Sequence, residues 1–538
     1  VKVLTDKPVY LKPNVVIEPL FDNWYAWMHL ISPVTAARNV AKRHLPIMRS
    51  YVQAEAVHAA ATKNPKMKGG PFVDYAYSRT QEVKDLILDT EVKNKDLLEL
   101  SDAIDELNKI VENHPKGAST DGLYAKVPEP LKGLIELVFD IHNNLSFRLI
   151  EPLFYKSKFF DKSAQSVCIW KTDSHHRPFV LSTPRIKDAE PEVLHFPLAF
   201  DSEVIDMLGE MKFTPRPARD IFEKLSMTDE QKEVFKTFFT PVQERSYTQC
   251  PENEVRVRYF GHACMLIETA STSILIDPMV AYQRFEASEE QYSYADLPDN
   301  IDYVVITHNH QDHILLETLL PLRHKIKHFI VPAAASGALQ DPSIKLAMES
   351  VGFDNIIELR ELETVKAGDC EVTGIPFFGE HADLNIQAKL CFLIKAGGKN
   401  MLFTADSTVH ESKTYDFVND IVGRTDFIFM GMECDGAPLS WLYGPLLSKK
   451  LPKEIDKSRR LNGSDYEQAI KLVDIFQPEE VYVYAMGQEP CVEFISSIKY
   501  TDESRPIVES NKLVEECKAR NIKSERLYGA KEFVYVFS

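Results

Sequence analysis

The stretch Tyr303-Val304-Val305-Ile306-Thr307-His308-Asn309-His310-Gln311-Asp312-His313 decides how this chain folds and what it handles. Its first four residues predict a strand, and the polar residues from Thr307 predict the loop that ends it. His308, His310, Asp312 and His313 put three imidazoles and one carboxylate into that loop. Such a loop can offer His308 and His310 to one metal and Asp312 and His313 to a second. Two metals a few ångströms apart perform either hydrolysis or oxygen chemistry.

The bulk composition narrows the setting. At 538 residues the chain is too long for one ordinary core, which predicts two domains. Hydrophobic content of 44% with 26% charged residues is that of a soluble globular protein. No apolar run approaches the roughly 18–20 residues that span a bilayer, so no membrane partner is expected. The opening Val1-Lys2-Val3-Leu4-Thr5-Asp6 has no charged-then-apolar signal pattern, and a start at Val1 reads as a trimmed chain. Cysteines 168, 250, 264, 370, 391, 434, 491 and 517 are scattered without a CxxC pair, and read as buried thiols in a reducing cytoplasm. The formal net charge of -18 argues against a nucleic-acid enzyme, because a phosphate backbone needs a cationic face. Lys449-Lys450, Lys453, Lys457, Arg459 and Arg460 read as a solvated basic face.

Residues 1–247 carry no catalytic motif and read as an α-rich (α+β) N-terminal domain, with room for a small sheet. Residues 80–113 have helical periodicity, residues 129–150 read the same way, and Pro191 to Pro197 reads as extended or irregular. Thr228-Asp229-Glu230-Gln231 opens a further helix with a Thr or Asp cap. A boundary falls near Arg245–Glu254, and residues 248–538 form the second domain. There the texture changes to short strands at 255–260, 265–268, 273–276, 303–306, 329–331, 390–394, 401–404, 427–430 and 481–484. Helical segments such as 342–351 and 464–475 lie between them, predicting a layered α/β architecture.

Two further stretches join the histidine loop. Arg258-Tyr259-Phe260-Gly261-His262-Ala263-Cys264 with Ile274-Leu275-Ile276-Asp277-Pro278 resembles the opening strands of the metallo-β-lactamase fold. Phe403-Thr404-Ala405-Asp406-Ser407 resembles the segment whose aspartate bridges the metals there, so the resemblance implies an αββα sandwich with Asp406 as the bridge. The hydrolytic members of that family complete the second metal site with a late histidine. This chain has no histidine after His410, and Val481-Tyr482-Val483-Tyr484-Ala485-Met486-Gly487 supplies no substitute. A remaining ligand is expected from Phe377-Phe378-Gly379-Glu380-His381, where either Glu380 or His381 is available. Neighbours on an extended chain point in opposite directions, so one of the two is expected to enter the site. With Glu380, the set His308, His310, His313, Asp312, Glu380 and Asp406 suits iron that binds oxygen and changes valence. With His381, the set suits a dinuclear zinc hydrolase acting on a thioester, lactone or phosphodiester.

The HxHxDH loop, Gly379-Glu380, Thr404-Ala405-Asp406 and the missing late histidine together resemble the CmlA-like diiron amino-acid β-hydroxylases of chloramphenicol biosynthesis and related nonribosomal peptide pathways. Chain length and domain order are similar too. The resemblance implies that His308, His310 and Glu380 bind one iron, Asp312 and His313 the other, and that Asp406 bridges. It implies a catalytic role for Glu380, and Glu433 fits a carboxylate that orients a ligand or water. His262 reads as structural packing beside the site, and His175, His176 and His410 as ordinary. The implied activity is O2-dependent β-hydroxylation of an amino acid held as a thioester on a nonribosomal peptide synthetase carrier domain. Two iron ions are the cofactor, and an electron-transfer partner supplies the reducing equivalents. The N-terminal domain is then expected to serve carrier docking, homodimer contacts, or both.

Overall fold

The computed structural model describes residues 6–187, 190–286 and 290–537. Two sheets dominate its C-terminal half, seven strands each among the described residues. The first runs in the order Ile356–Leu359, Ile326–Pro332, Ile301–Val305, Ser273–Ile276, Cys264–Glu268, Glu254–Gly261 and Lys531–Val536. The second runs Thr364–Ala367, Cys370–Ile375, Cys391–Ala396, Lys399–Phe403, Phe427–Gly431, Glu480–Tyr484 and Lys523–Arg526. Each sheet is antiparallel on one side and parallel on the other.

Strand periodicity explains why the sheets stack. Val255, Val257, Tyr259, Ile274 and Ile276 of the first sheet meet Phe392, Ile394, Phe403, Phe429 and Tyr482 of the second in one core. The alternate residues face outward. Leu393, Ile428, Met430, Val481 and Val483 pack under helices Ser412–Val422, Tyr466–Phe476 and Arg505–Ala519. Leu266, Leu275 and Val304, on the outer face of the first sheet, join a core that also holds Val15, Ile17, Leu30 and Leu316. The outer layer of that sheet is therefore built jointly by helix Leu316–Leu322 and the N-terminal half. The αββα sandwich expected from the resemblance is present.

The N-terminal half combines helices with small sheets. Val15–Phe21 pairs with Gln165–Lys171, flanked by Trp24–Tyr25 and Leu194–Phe196. Residues 80–113 form two helices, Thr80–Lys93 and Lys95–Asn113, with Asn94 between them. Of the two caps expected for the helix that opens at 228–231, Thr228 is the one used, and it closes a capping box with Gln231.

Residues 129–150 depart from the helical expectation: after a short turn they form the hairpin Ile135–Phe139 and Leu145–Leu149. Gly133 and Asn143 take positive φ, and the Asp140 carboxylate accepts from His142 N and Asn144 N, which makes the reversal. Ile135, Leu137, Leu145 and Leu149 are buried, a period-2 pattern that the neighbouring apolar residues disguise.

A buried ion network ties the two halves together. Arg177 pairs with Glu317 at 2.5 Å and with Glu18 at 3.4 Å, and Arg185 pairs with Glu18 at 2.7 Å. Glu317 sits in helix Leu316–Leu322, directly after the histidine loop. At Gly209 an added Cβ would lie 1.9 Å from Pro321 O, so helix Glu203–Glu210 reaches that helix only because it carries no side chain there.

Candidate metal centre

The candidate ligands gather at the carboxyl ends of strands from both sheets. Strand Ser273–Ile276 ends at Asp277, strand Ile301–Val305 runs into the histidine loop, and strand Lys399–Phe403 leads to Asp406. Glu380 follows strand Cys370–Ile375, and Ala485 follows Glu480–Tyr484 at the place where a hydrolase would present its late histidine. His262, Asp277, Glu380, Ala405 and Ala485 all have positive φ. Each costs about 1–3 kcal/mol in a non-glycine residue, and such strain persists where surrounding structure fixes a functional geometry.

Asp277 organises the loop. Its Oδ1 accepts from Thr307 N at 2.8 Å, and its Oδ2 accepts from Thr307 Oγ1 at 2.6 Å. Oδ2 also lies 2.8 Å from His313 Nδ1, which leaves His313 Nε2 facing Asp406 Oδ2 at 3.0 Å. His308 turns Nδ1 to Thr307 Oγ1 at 3.0 Å and Nε2 inward, 3.7 Å from Glu380 Oε2 and 4.0 Å from Asp406 Oδ2. His310 presents Nδ1 to Glu380 Oε1 at 2.7 Å and Nε2 to the Tyr443 hydroxyl at 2.7 Å.

Three sets of atoms lie close enough to share a cation: His308, His310 and Glu380; His308, His313 and Asp406; and His262, Asp312 and His313. In the third, His262 Nδ1 accepts from Gly487 N at 3.1 Å, which places a neutral ring's proton on Nε2, facing Asp312 Oδ2 at 3.3 Å. His262 thus sits at the strand turn as a partner of Asp312. His381 belongs to none of the three sets. Its buried ring packs 4.5 Å from that of His310, with Nδ1 3.3 Å from Gly379 O.

The chemistry of this cluster fits metal ions. His308 Nε2, Glu380 Oε2 and Asp406 Oδ1 are buried with no hydrogen-bond partner, a costly arrangement unless a cation occupies the space between them. Burial pushes the Glu380 carboxyl up to about 7, with the His310 imidazole opposing and Asp406 and Asp312 adding to the rise. Burial also raises Asp312, yet His313 and His262 more than offset it and hold that carboxyl well below the usual range. His313 shows the converse: burial disfavours its charge, but Asp406, Asp312 and Asp277 hold it well above the ordinary imidazole value.

The cluster forms the buried end of a cavity of about 560 Å³. Glu433 also lines it; its Oε2 accepts from Gly436 N at 2.6 Å, and burial pushes its carboxyl up to about 7. Trp441, in helix Leu439–Tyr443, contributes to the wall. The N-terminal segment 66–72 closes the outer side, a contribution that no sequence motif signals. Helix Pro33–Asn39 and the π-helical turn Val40–His44 hold the wall in place, Arg38 Nε donating to Pro445 O at 3.0 Å and Arg43 to Trp441 O. Sequence reading also missed Tyr443 as the partner of His310. Asp277 appeared there only as part of a fold motif, although a strand-end aspartate beside a ligand loop is the available signal.

Residues 10–242 match the family described as the diiron non-heme beta-hydroxylase N-terminal domain, and residues 272–437 match a beta-lactamase superfamily domain. The chain is 36% identical over 524 residues to the 4-amino-L-phenylalanyl-[CmlP-peptidyl-carrier-protein] 3-hydroxylase of Streptomyces venezuelae, covering 96% of this chain and 98% of that protein. The crystal structure of CmlA, a diiron beta-hydroxylase from Streptomyces venezuelae, superposes with a TM-score of 0.92 at 34% identity, covering 98% of this chain and 99% of the other. A point mutant of CmlA superposes with a TM-score of 0.90 over the same shares.

Proposed function

Because the chain belongs to the CmlA-like family of diiron β-hydroxylases, we propose that it hydroxylates the β-carbon of an amino acid tethered as a thioester to a carrier domain. The observation that carries this reading is the position of Glu380: its carboxylate completes a set of ligand atoms with His308 and His310, whereas the neighbouring His381 ring, packed against both imidazoles, joins no such set.

His308, His310 and Glu380 would hold one iron, Asp312 and His313 the other, and Asp406 would bridge. Bound there, the irons would supply redox chemistry that puts one atom of O2 into the β C–H bond and releases the other as water, consuming two protons and two electrons from an external donor. Oxygen-rich, anionic ligands suit an ion that must reach ferric and higher states. The remaining residues fix the ligands. Asp277 keeps the His313 Nδ1 proton and so turns Nε2 inward, while Tyr443 holds the far side of His310. Glu433, which lines the same cavity, would orient water or a ligand beside the irons. Residues 1–247 are the domain through which we expect the carrier to dock.

No helix among the described residues is long and apolar enough to cross a membrane. The eight cysteines are free thiols, which supports the cytoplasm as the working compartment.

The test is metal content after expression with iron and zinc both supplied, followed by reduction and exposure to O2 under optical monitoring. About two irons per chain, with an oxygen-dependent absorption change, is the expected result. Gain of one oxygen atom by an aminoacyl carrier domain then establishes the reaction. Bound zinc, no optical response and release of the amino acid from the carrier would overturn it.

A further inference from the structure

The cavity has a second, chemically different end. Its exposed rim carries Lys66, Lys68 and Lys499, while its buried end carries the carboxylates and imidazoles of the metal cluster. Lys68 and Lys499 share one carboxylate: both ammonium groups contact Glu493 Oε1, Lys499 at 3.0 Å. His176 Nδ1 faces the other oxygen of Glu493 at 3.3 Å. Burial raises the Glu493 carboxyl, but Lys68 and Lys499 outweigh it and keep the group ionised. Lys66 has no carboxylate within ion-pair distance among the described residues. Three lysine ammonium groups thus stand against two carboxylates, Glu493 and the exposed Asp435, in a chain of net charge -18. Asp435 also lines the cavity, and Arg505 Nη1 stands 3.8 Å from it.

The rim is held in shape by both halves of the molecule. Trp441 Nε1 donates to Gly69 O at 2.9 Å. Gly69 has φ +78°, and an added Cβ there would lie 2.8 Å from Ser497 Cβ, so this close approach admits only glycine. The rest of the lining is mixed: Trp441, Leu461 and Ile498 are apolar, and Ser496 and Ser497 offer hydroxyls. A slender chain of amide and methylene groups, anionic at its outer end and carrying the reacting carbon at its inner end, matches that sequence of surfaces.

We propose that Lys66, Lys68 and Lys499 form an anion site for the phosphodiester of the carrier's phosphopantetheine arm, which sets how far the tethered amino acid reaches toward the metal cluster. The inference rests on the carrier-tethered reading above. Charge-assisted contacts to a phosphodiester act at the rim, where solvent and salt weaken them. We therefore expect a moderate effect, about tenfold in affinity.

The experiment titrates the iron-loaded full chain with pantetheine and with the methyl phosphodiester of phosphopantetheine by calorimetry. The wild type should bind the diester about tenfold more tightly than pantetheine, and 0.5 M salt should remove most of the difference. The variant Lys66→Glu/Lys499→Glu should lose the preference while retaining its circular dichroism spectrum and iron content, and Lys499→Arg should retain the preference. A wild type without preference, or a charge-reversed variant that keeps it, overturns the site. So does a defect confined to intact carrier and absent with the diester, which would assign the rim to an acidic protein surface instead. Hydroxylation of carrier-bound substrate by the same preparations separates the two readings. Turnover without diester preference leaves the hydroxylase and removes the anion site. Diester preference without turnover does the reverse.

Discussion

At the scale of single residues, the site depends on groups that do not themselves face the cavity centre. Asp277 binds Thr307 twice and His313 once, and has φ 40° at the end of its strand. Asp277→Asn keeps the shape but loses the anion that holds the His313 Nδ1 proton. Iron affinity is expected to fall 10–100-fold, roughly the effect of removing such a partner, measured as iron retained against a chelator at fixed concentration. Unchanged retention would remove Asp277 from the machinery. Glu380 and His381 form a sharper pair. Glu380→Ala is expected to lose iron and activity, whereas His381→Ala should keep iron while disturbing packing against His310. The opposite pattern of iron content would return the site to the histidine-rich hydrolase arrangement.

At the scale of elements, helices of the second domain are fastened by residues of the first. Helix Ile344–Ser350 begins at Ser343, whose backbone N donates to Glu151 Oε1 at 3.0 Å and Oε2 at 3.2 Å. Burial pushes the Glu151 carboxyl from 4.5 up to about 7; Ser343 N opposes this, and Asp341 and Glu358 add to the rise. The folded protein therefore holds this proton more tightly than the unfolded chain does. The resulting stabilisation is fully present below pH 4.5 and is lost as pH rises through about 7. Glu151→Gln lacks the titration, so unfolding free energy of wild type minus variant should fall by about 1–3 kcal/mol across that window. A difference independent of pH would show that Glu151 does not titrate there. The hairpin at 135–149 makes a related point, since Leu149 N donates to Gly337 O at 2.8 Å. This tertiary partner is invisible to local periodicity.

At the scale of the whole molecule, the two halves share one core and one buried ion network. Glu317 accepts from Arg177 and from the Tyr282 hydroxyl, and Glu18 accepts from Arg177 and Arg185. Removing one member strands a buried charge, so Glu317→Ala is expected to cost about 3–5 kcal/mol in denaturant unfolding. The double variant Arg177→Met/Glu317→Leu should lose less, because no unpaired charge remains at that contact. Equal losses would show that the network contributes through packing alone. The helix carrying Glu317 follows the histidine loop directly, so Glu317→Ala is also expected to lower iron occupancy.

Short-range patterns in the chain were enough for the histidine ligand loop and for the layered architecture of the second domain. His308, His310, Asp312 and His313 lie within one loop, and alternating strand patterns set which residues face the core. Both signals are local, with periods of a few residues. Asp406 and Glu380 were legible only through their resemblance to a known ligand order, because each is distant in sequence from the loop it joins. The tertiary structure decided the rest. It turned Glu380 toward His308 and His310 through a positive φ, set Tyr443 against His310, and brought Lys66 and Lys68 of one half beside Lys499 of the other. These are contacts between residues tens to hundreds of positions apart, fixed by how sheets, helices and buried charges pack, and no short-range pattern in the chain encodes them.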